Sequence, residues 1–442
     1  MNRSFCQLLL LLIPAATAAQ QTYSLKDCIT YGLQHHRNNI IHTNNIQLAN
    51  AQTREARAGY LPAINVDGGI DNNIKVQESV IPAGLFGDKD IKVAFTKQFN
   101  TNAAIQLDQT IYDQSLISGM KANRYNKEQA SLNKQQSDET IIYNISTAYY
   151  QIQVYRQQLT YLGENLANYR QQINIAQLQV DKGVTLQTDL NKVTVNYNNT
   201  LSQVSVAESN LALAFNQLKN EMGYDLNKSI IVDSTVNNNN GGTAEQTPFT
   251  VTNRTDYQLD IVNAKLLEID QRRIRATGLP KLSAYAKYGG LGFGDNLSES
   301  FRGMSSFSSV GIRLSIPILD GLKRNAQYDQ ARYKYHNALE QVKLHEDKFR
   351  LEFENNRTKL IKAQSTLDND RRNVSLAQSV FTTVDLQLQK GATSLTDWLN
   401  AQYSLKEAQN NLLNALYNTY LSRIDLEKAN GTLKTYYSQL PH

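Results

Sequence analysis

Residues 141–183 read IIYNISTAYYQIQVYRQQLTYLGENLANYRQQINIAQLQVDKG. Ile141, Ile145, Ala148, Ile152, Tyr155, Leu159, Leu162, Leu166, Tyr169, Ile173, Ala176 and Val180 recur at steps of four and three, and the ladder stops at Lys182-Gly183. It restarts at Leu190 and Val193 and runs to Leu218. Apolar residues at this period mark helices that supercoil on a neighbour, and a Gly just past the last of them is a helix stop. A second stretch repeats the plan, from Leu360 through Phe381 and Leu388 to Lys390-Gly391, then from Trp398 to Leu426. No proline falls between Pro82 and Pro248 or between Pro317 and Pro441 to interrupt either ladder. The spacing predicts two long antiparallel helical hairpins. Leu116 to Lys182, as straight helix, would reach roughly 100 Å.

The two ladders are copies. An offset of 208 turns Lys182, Gly183, Thr185, Thr188, Asp189, Ala207, Leu218 and Gly223 into Lys390, Gly391, Thr393, Thr396, Asp397, Ala415, Leu426 and Gly431. Upstream, Ala58 with Leu61-Pro62 matches Ala276 with Leu279-Pro280 at an offset of 218. Shared register with shared stops points to an internal duplication. The expected organisation is a first repeat over 20–223, a connecting segment over 224–255, a second repeat over 256–431 and a tail over 432–442. Asn237-Asn238-Asn239-Asn240-Gly241-Gly242 reads as a flexible linker.

Before the first repeat, Arg3, the apolar run Leu8–Ile13, Pro14 and the small residues of 15–19 read as a secretory signal over 1–19. Cys6 would leave with it, and Cys28 alone has no partner for an internal disulfide. Formal net charge is +5 without a basic cluster interleaved with aromatics, so nucleic acid is not an expected partner. Past the signal, no apolar run approaches the roughly 20 residues of a membrane helix. A bilayer could be crossed only as β-strands.

Candidate strands precede each hairpin. Ile64, Val66 and Ile70 alternate with Asn65, Asp67 and Asp71; Ala103, Ile105, Leu107 and Ile111 alternate with Asn102, Gln106, Asp108 and Thr110. In the second repeat Leu282, Ala284, Ala286 and Tyr288 alternate with polar residues, as do Val310, Ile312, Leu314, Ile316 and Ile318. The pattern suits a transmembrane barrel with a wet lumen, and equally a soluble sheet over a core. Four strands cannot close a barrel, whereas three copies give twelve and leave no edge. The segments Gln77–Gln98 and Gly292–Ser306 read as polar loops, and Ile230–Val232 as a short strand outside the barrel.

The order of a signal, a short amphipathic helix (Leu25–Ala58), Leu-Pro, two strands and a long hairpin, then the series again, resembles the TolC-type outer-membrane efflux proteins. Most similar are Lys390-Gly391-Ala392-Thr393-Ser394-Leu395-Thr396-Asp397 with Asn400-Ala401-Gln402, and Ile316-Pro317-Ile318-Leu319-Asp320-Gly321. The resemblance implies a mainly α fold with transmembrane β: a homotrimer whose twelve-stranded barrel, in outer-membrane lipid, continues into a periplasmic α-helical tunnel. It implies an efflux duct working with a periplasmic membrane-fusion adaptor and an inner-membrane transporter. A duct for type I protein secretion, or a secreted coiled-coil scaffold, are the alternatives.

Individual positions carry over by the same resemblance. Gly183-Val184-Thr185 and Gly391-Ala392-Thr393 match the turns that engage the adaptor. Asp397 matches the first acid of the periplasmic gate, and the second position is Asn400, so the acidic ring would be single. Asp189 matches a first-turn acid used in gate-locking links, but Leu388 and Thr393 stand at the partner positions, so no equivalent ionic lock is implied. Both aspartates equally suit helix capping, where a carboxylate meets the positive end of the dipole. Trp398 reads as packing beside the gate. His35 and His42, seven apart near His36, have no third ligand at metal spacing, and neither a catalytic constellation nor a cofactor motif is present.

Overall fold

The computed structural model describes residues 22–84, 88–233 and 248–441. The signal at 1–19 and the Asn/Gly linker at 237–242 lie outside the described residues. In chain order the elements are β1 (Thr22–Tyr23), α1 (Leu25–His35), α2 (Arg37–Ala58), β2 (Ala63–Asn72), β3 (Glu78–Ile81), β4 (Ile91–Ala94) and β5 (Phe99–Tyr112). There follow α3 (Gln114–Asp181), α4 (Gln187–Met222), β6 (Ile231–Val232), α5 (Thr255–Ala276), β7 (Lys281–Gly294) and α6 (Leu297–Arg302). The chain closes with β8 (Ser305–Ser315), α7 (Lys323–Gln389), α8 (Leu395–Asn430) and α9 (Leu433–Gln439). Among the described residues two compact units form, each drawing on both halves of the sequence: one from 42–133 with 258–345, the other from 22–41 with 134–257 and 346–441.

In the first of these units β2, β5, β7 and β8 pair antiparallel in that order. The register sets Ile64, Leu107, Ala286 and Val310 side by side, and the next row is Asn65, Gln106, Lys287 and Ser309. Rows alternate because successive side chains of a strand point to opposite faces. The apolar face is bare: Val66 is 74% exposed, Ile105 51%, Val310 85% and Ile312 71%. A soluble sheet would spend that face on a core; here, among the described residues, no core lies on it, and only the end of β7 is overlain, by α6. With 10, 14, 14 and 11 residues the strands reach or exceed the roughly 9–11 residues that span a bilayer.

Three expectations change here. The fourth strand stops at Ser315 and not at Ile318, because Pro317 has no N–H to give the ladder. The stretch 77–98 is not wholly loop, since β3 and β4 pair within it, and 292–306 contains the end of β7 and the short helix α6. The helix expected over Leu25–Ala58 is two, broken at His36, whose backbone is extended at φ −64° and ψ 130°.

In the other unit the ladder residues go inside. Ile141, Ile145, Ile152, Leu218 and Met222 join Cys28 and Ile29 of α1 and Leu433, Tyr436 and Leu440 of the tail in one core. The tail is thus a packed helix, tied by Tyr436 to Tyr150 (2.9 Å between hydroxyls) and by Tyr437 to Thr30 (2.9 Å). The short strand over Ile231–Val232 pairs in parallel with β1, apart from the four-stranded sheet. Element lengths recur: α2 and α5 have 22 residues each, and α4 and α8 have 36 each.

Candidate functional site at the helical turns

Both long helices end the same way. Gly183 and Gly391 sit in the left-handed region at φ 68° and 72°. Gly183 N–H donates to the Val180 carbonyl (2.9 Å) and Val184 N–H to Gln179 (2.8 Å). Gly391 N–H donates to Leu388 (3.0 Å) and Ala392 N–H to Gln387 (2.8 Å). This paired pattern satisfies the last carbonyls of a helix and needs a residue without a Cβ penalty at its centre. A Cβ at either glycine would meet nothing within 4 Å, so conformation and not space selects glycine. Gly183, Val184, Gly391 and Ala392 are exposed, while Thr185 and Thr393 are half-buried.

The helices that follow are started differently. On α8, Ser394 and Asp397 form a reciprocal capping box: Asp397 N–H donates to Ser394 Oγ (3.2 Å), and Ser394 Oγ (2.6 Å) and N–H (3.3 Å) donate to Asp397 Oδ2. Thr393 Oγ1 adds a third donor at 3.0 Å. The hydroxyls of Ser394 and Thr393, with the Ser394 backbone, hold the Asp397 carboxyl below the ordinary carboxylate range. On α4 the N-cap is Leu186, which has no side-chain cap. Asp189 instead takes a salt bridge from Lys192 (2.9 Å) and a bond from Thr185 (3.3 Å), which likewise lower its pKa.

Trp398 is buried between Tyr169 and Phe381, whose ring centroids lie 5.7 and 5.6 Å away. Its Nε1–H donates to Asp385 Oδ1 at 2.7 Å, joining α8 to α7 just behind the turn. Asp385 is a residue that sequence reasoning missed; the signal was the tryptophan, because a buried indole N–H requires an acceptor. Asp397 and Asn400 are both exposed, one turn apart. They open a stripe that continues as Ser404, Glu407, Asn411, Asn414 and Asn418, every member polar and exposed. It keeps the same four-three spacing as the buried ladder. Behind it, Asn165 of α3 donates to Gln409 (3.0 Å) and accepts from Gln402 (2.7 Å) in a fully buried amide layer.

Two of the three N-terminal histidines find local partners: His35 Nδ1–H donates to the Tyr31 carbonyl at 3.0 Å and its ring stacks on Tyr31 at 4.0 Å, and His36 Nδ1 accepts from Asn38 N–H at 3.2 Å. Among the described residues no three His, Cys, Asp or Glu side chains gather as a metal site, and no helix is long and apolar enough to cross a membrane.

The sequence matches the model of the outer membrane efflux protein family over residues 43–224 and 264–432. The chain belongs to that family. It is 25% identical over 351 residues to outer membrane protein TolC of Escherichia coli K12, covering 75% of this chain and 70% of that protein. It is 21% identical over 378 residues to outer membrane efflux protein BepC of Brucella suis, covering 82% and 80%. The fold matches the solved structures of CusC (TM-score 0.76, 19% identity, 92% and 91% covered) and of VceC from Vibrio cholerae (TM-score 0.74, 16% identity, 92% and 96% covered). As a member of this family the protein is an outer-membrane efflux channel that extends into the periplasm.

Proposed function

We propose that three copies of this chain close a twelve-stranded barrel and form the exit duct of a tripartite system. It would receive substrates from an inner-membrane transporter through a periplasmic membrane-fusion adaptor. The carrying observation is the sheet: an uncovered apolar face and, among the described residues, no partner strand on the outer edge of β2 or β8. In hydrocarbon each unpaired backbone group costs several kcal/mol, so such edges require closure with further copies. Apolar residues off the ladder support the same reading, since Val195, Leu201, Val206 and Leu213 on α4 and Leu344, Leu351, Leu376 and Leu386 on α7 stand exposed.

Within this reading the turns Gly183-Val184-Thr185 and Gly391-Ala392-Thr393 dock the adaptor, with open backbone and small side chains on offer. Asp397 and Asn400 begin the lumen-facing stripe at the periplasmic entrance, and a single acid per chain makes that entrance weakly cation-attracting. Asp189, paired with Lys192 and Thr185, is not a lock. Residues 224–255 connect the two repeats over 20–223 and 256–431. Light scattering of the detergent-solubilised protein should give the mass of three chains. Cysteines at Val184 and Ala392 should cross-link to the adaptor encoded with it. A stable folded monomer would overturn the duct, and a trimer that fails to cross-link would overturn the docking turns alone.

A further inference from the structure

Every second residue at the end of β7 is glycine: Gly290, Gly292 and Gly294. Their register partners on β5 are Ala103, Thr101 and Phe99, so all three glycines lie on the apolar face, at the sheet end away from α3 and α7. The missing side chains leave a groove, and α6 fills it. A Cβ on Gly292 would fall 1.8 Å from the Ser300 carbonyl oxygen, and one on Gly294 2.4 Å from the Ser300 nitrogen. Ser300 is fully buried and its hydroxyl meets that of Thr101 at 2.7 Å. Met304 closes the lower end, its side chain 3.0 Å from where a Gly290 Cβ would be.

The roll of α6 about its axis is therefore fixed, and it sorts the remaining side chains. With Ser300 inward, Leu297 and Phe301 share one flank, four residues apart on the helix. Glu299 lies on the other flank, where Lys97 binds it at 3.1 Å and also binds Asp295 at 2.9 Å. Leu297 is 44% exposed and Phe301 50%, and Met304 and Tyr288 are exposed as well. The apolar flank is thus continuous with the bare face that carries Ile105 and Val310.

We propose that α6 with Met304 is a lipid-seated shoulder on the outside of the barrel. Its Leu297–Phe301–Met304 flank enters the acyl-chain border of the outer leaflet, and its Glu299 flank stays in water. A short amphipathic element lying along an interface is held by its buried apolar area. Here the glycine groove docks it to the sheet. The shoulder fixes how deep the channel sits. This inference rests on the apolar sheet face being the lipid face, and the test keeps the two apart.

An environment-sensitive dye is attached in turn to Phe301→Cys, Val310→Cys and Arg302→Cys of the full chain in phospholipid vesicles. Native Cys28 is buried and its thiol is pushed up to about 12, chiefly by burial and then by Asp27, so it stays unlabelled. Quenching is compared between iodide in water and a phospholipid bearing a nitroxide near the headgroup end of its chain. The shoulder predicts that the dyes at 301 and 310 are both quenched several-fold more by the lipid probe than the dye at 302, which iodide reaches. Lipid quenching at 310 with iodide quenching at 301 overturns the shoulder and leaves the barrel standing. Iodide quenching at 310 itself overturns the lipid-facing sheet, and the shoulder with it.

Discussion

Asp397 binds Ser394 and Thr393 of its own turn, so as a cap it needs only an acceptor oxygen, whereas as part of a charged entrance it needs its charge. Asp397→Asn separates the two roles, because the amide keeps an oxygen and drops the charge. If the carboxylates of three chains meet in a ring, the substitution should raise single-channel conductance modestly and abolish block by multivalent cations. A cap alone predicts no change in either. The pH dependence has a definite sign. Hydrogen bonds lower the folded-state pKa, so the charge is present throughout the range above an ordinary carboxylate value of about 4 and is lost only as pH falls through the lower folded value. Cation selectivity should accordingly be flat from neutral pH to about 5 and decline below about 4. In Asp397→Asn the decline should be smaller, because Glu407 is then the remaining carboxylate of the stripe. Repulsion within a ring acts against the lowering, and a decline beginning near neutrality would show that repulsion dominates.

The elements show what the pattern of residues could and could not disclose. Every ladder position of α4, from Leu190 to Leu218, is buried or half-buried, because a four-three period can satisfy only one stripe. The turn glycines were legible for the same reason that they are hard to replace. A β-branched residue forced into the left-handed region costs about 1–2 kcal/mol, so Gly391→Val should distort the turn without touching the packed core. Adaptor capture by the purified channel should fall more than trimer yield; loss of trimer with normal capture by the survivors would refute a docking role. The break at His36 was invisible, since neither Gly nor Pro marks it. It arises where Gly223 comes so close that a Cβ there would lie 3.1 Å from the His35 carbonyl and the His36 Cα. The Asn165–Gln402–Gln409 layer was hidden too. Amides inside a helix read as surface until their cross-helix partners are known. Asn165→Leu takes the acceptor from Gln402 Nε2 and the donor from Gln409 Oε1 while Gln402 Oε1 keeps Asn168, and each buried polar group left unsatisfied costs about 1–3 kcal/mol. Its thermal unfolding should come earlier than that of the wild type, and the Asn165→Leu/Gln402→Leu/Gln409→Leu variant should regain most of the loss.

For the whole molecule the deciding quantity is the state of the strand edges. β5 and β7 are paired on both sides within one chain, but β2 and β8 each have one row of backbone N–H groups with no strand partner among the described residues. The sequence announced four strands and their apolar face; it could not say which would be the edges, because alternation records only the faces. Two kinds of trimer remain physically distinct. In one, the helices alone hold three chains together and the sheets stay open. In the other, β8 of each chain bonds β2 of the next and all twelve strands form one ladder. Hydrogen exchange separates them, since an amide in a closed ladder exchanges only through opening of the sheet. Closure predicts that amides along Ala63–Asn72 and Ser305–Ser315 are all as slow to exchange as those of β5 and β7 in detergent-solubilised trimers. An open sheet predicts alternate fast and slow amides along β2 and β8, because successive N–H groups of an edge strand point in turn to the partner and to solvent. That alternating pattern in a particle of trimer mass would place the assembly in the helices and deprive the barrel of its physical basis. Uniform protection would tie membrane insertion to assembly, because the edges of a single chain would then be too costly to hold in hydrocarbon.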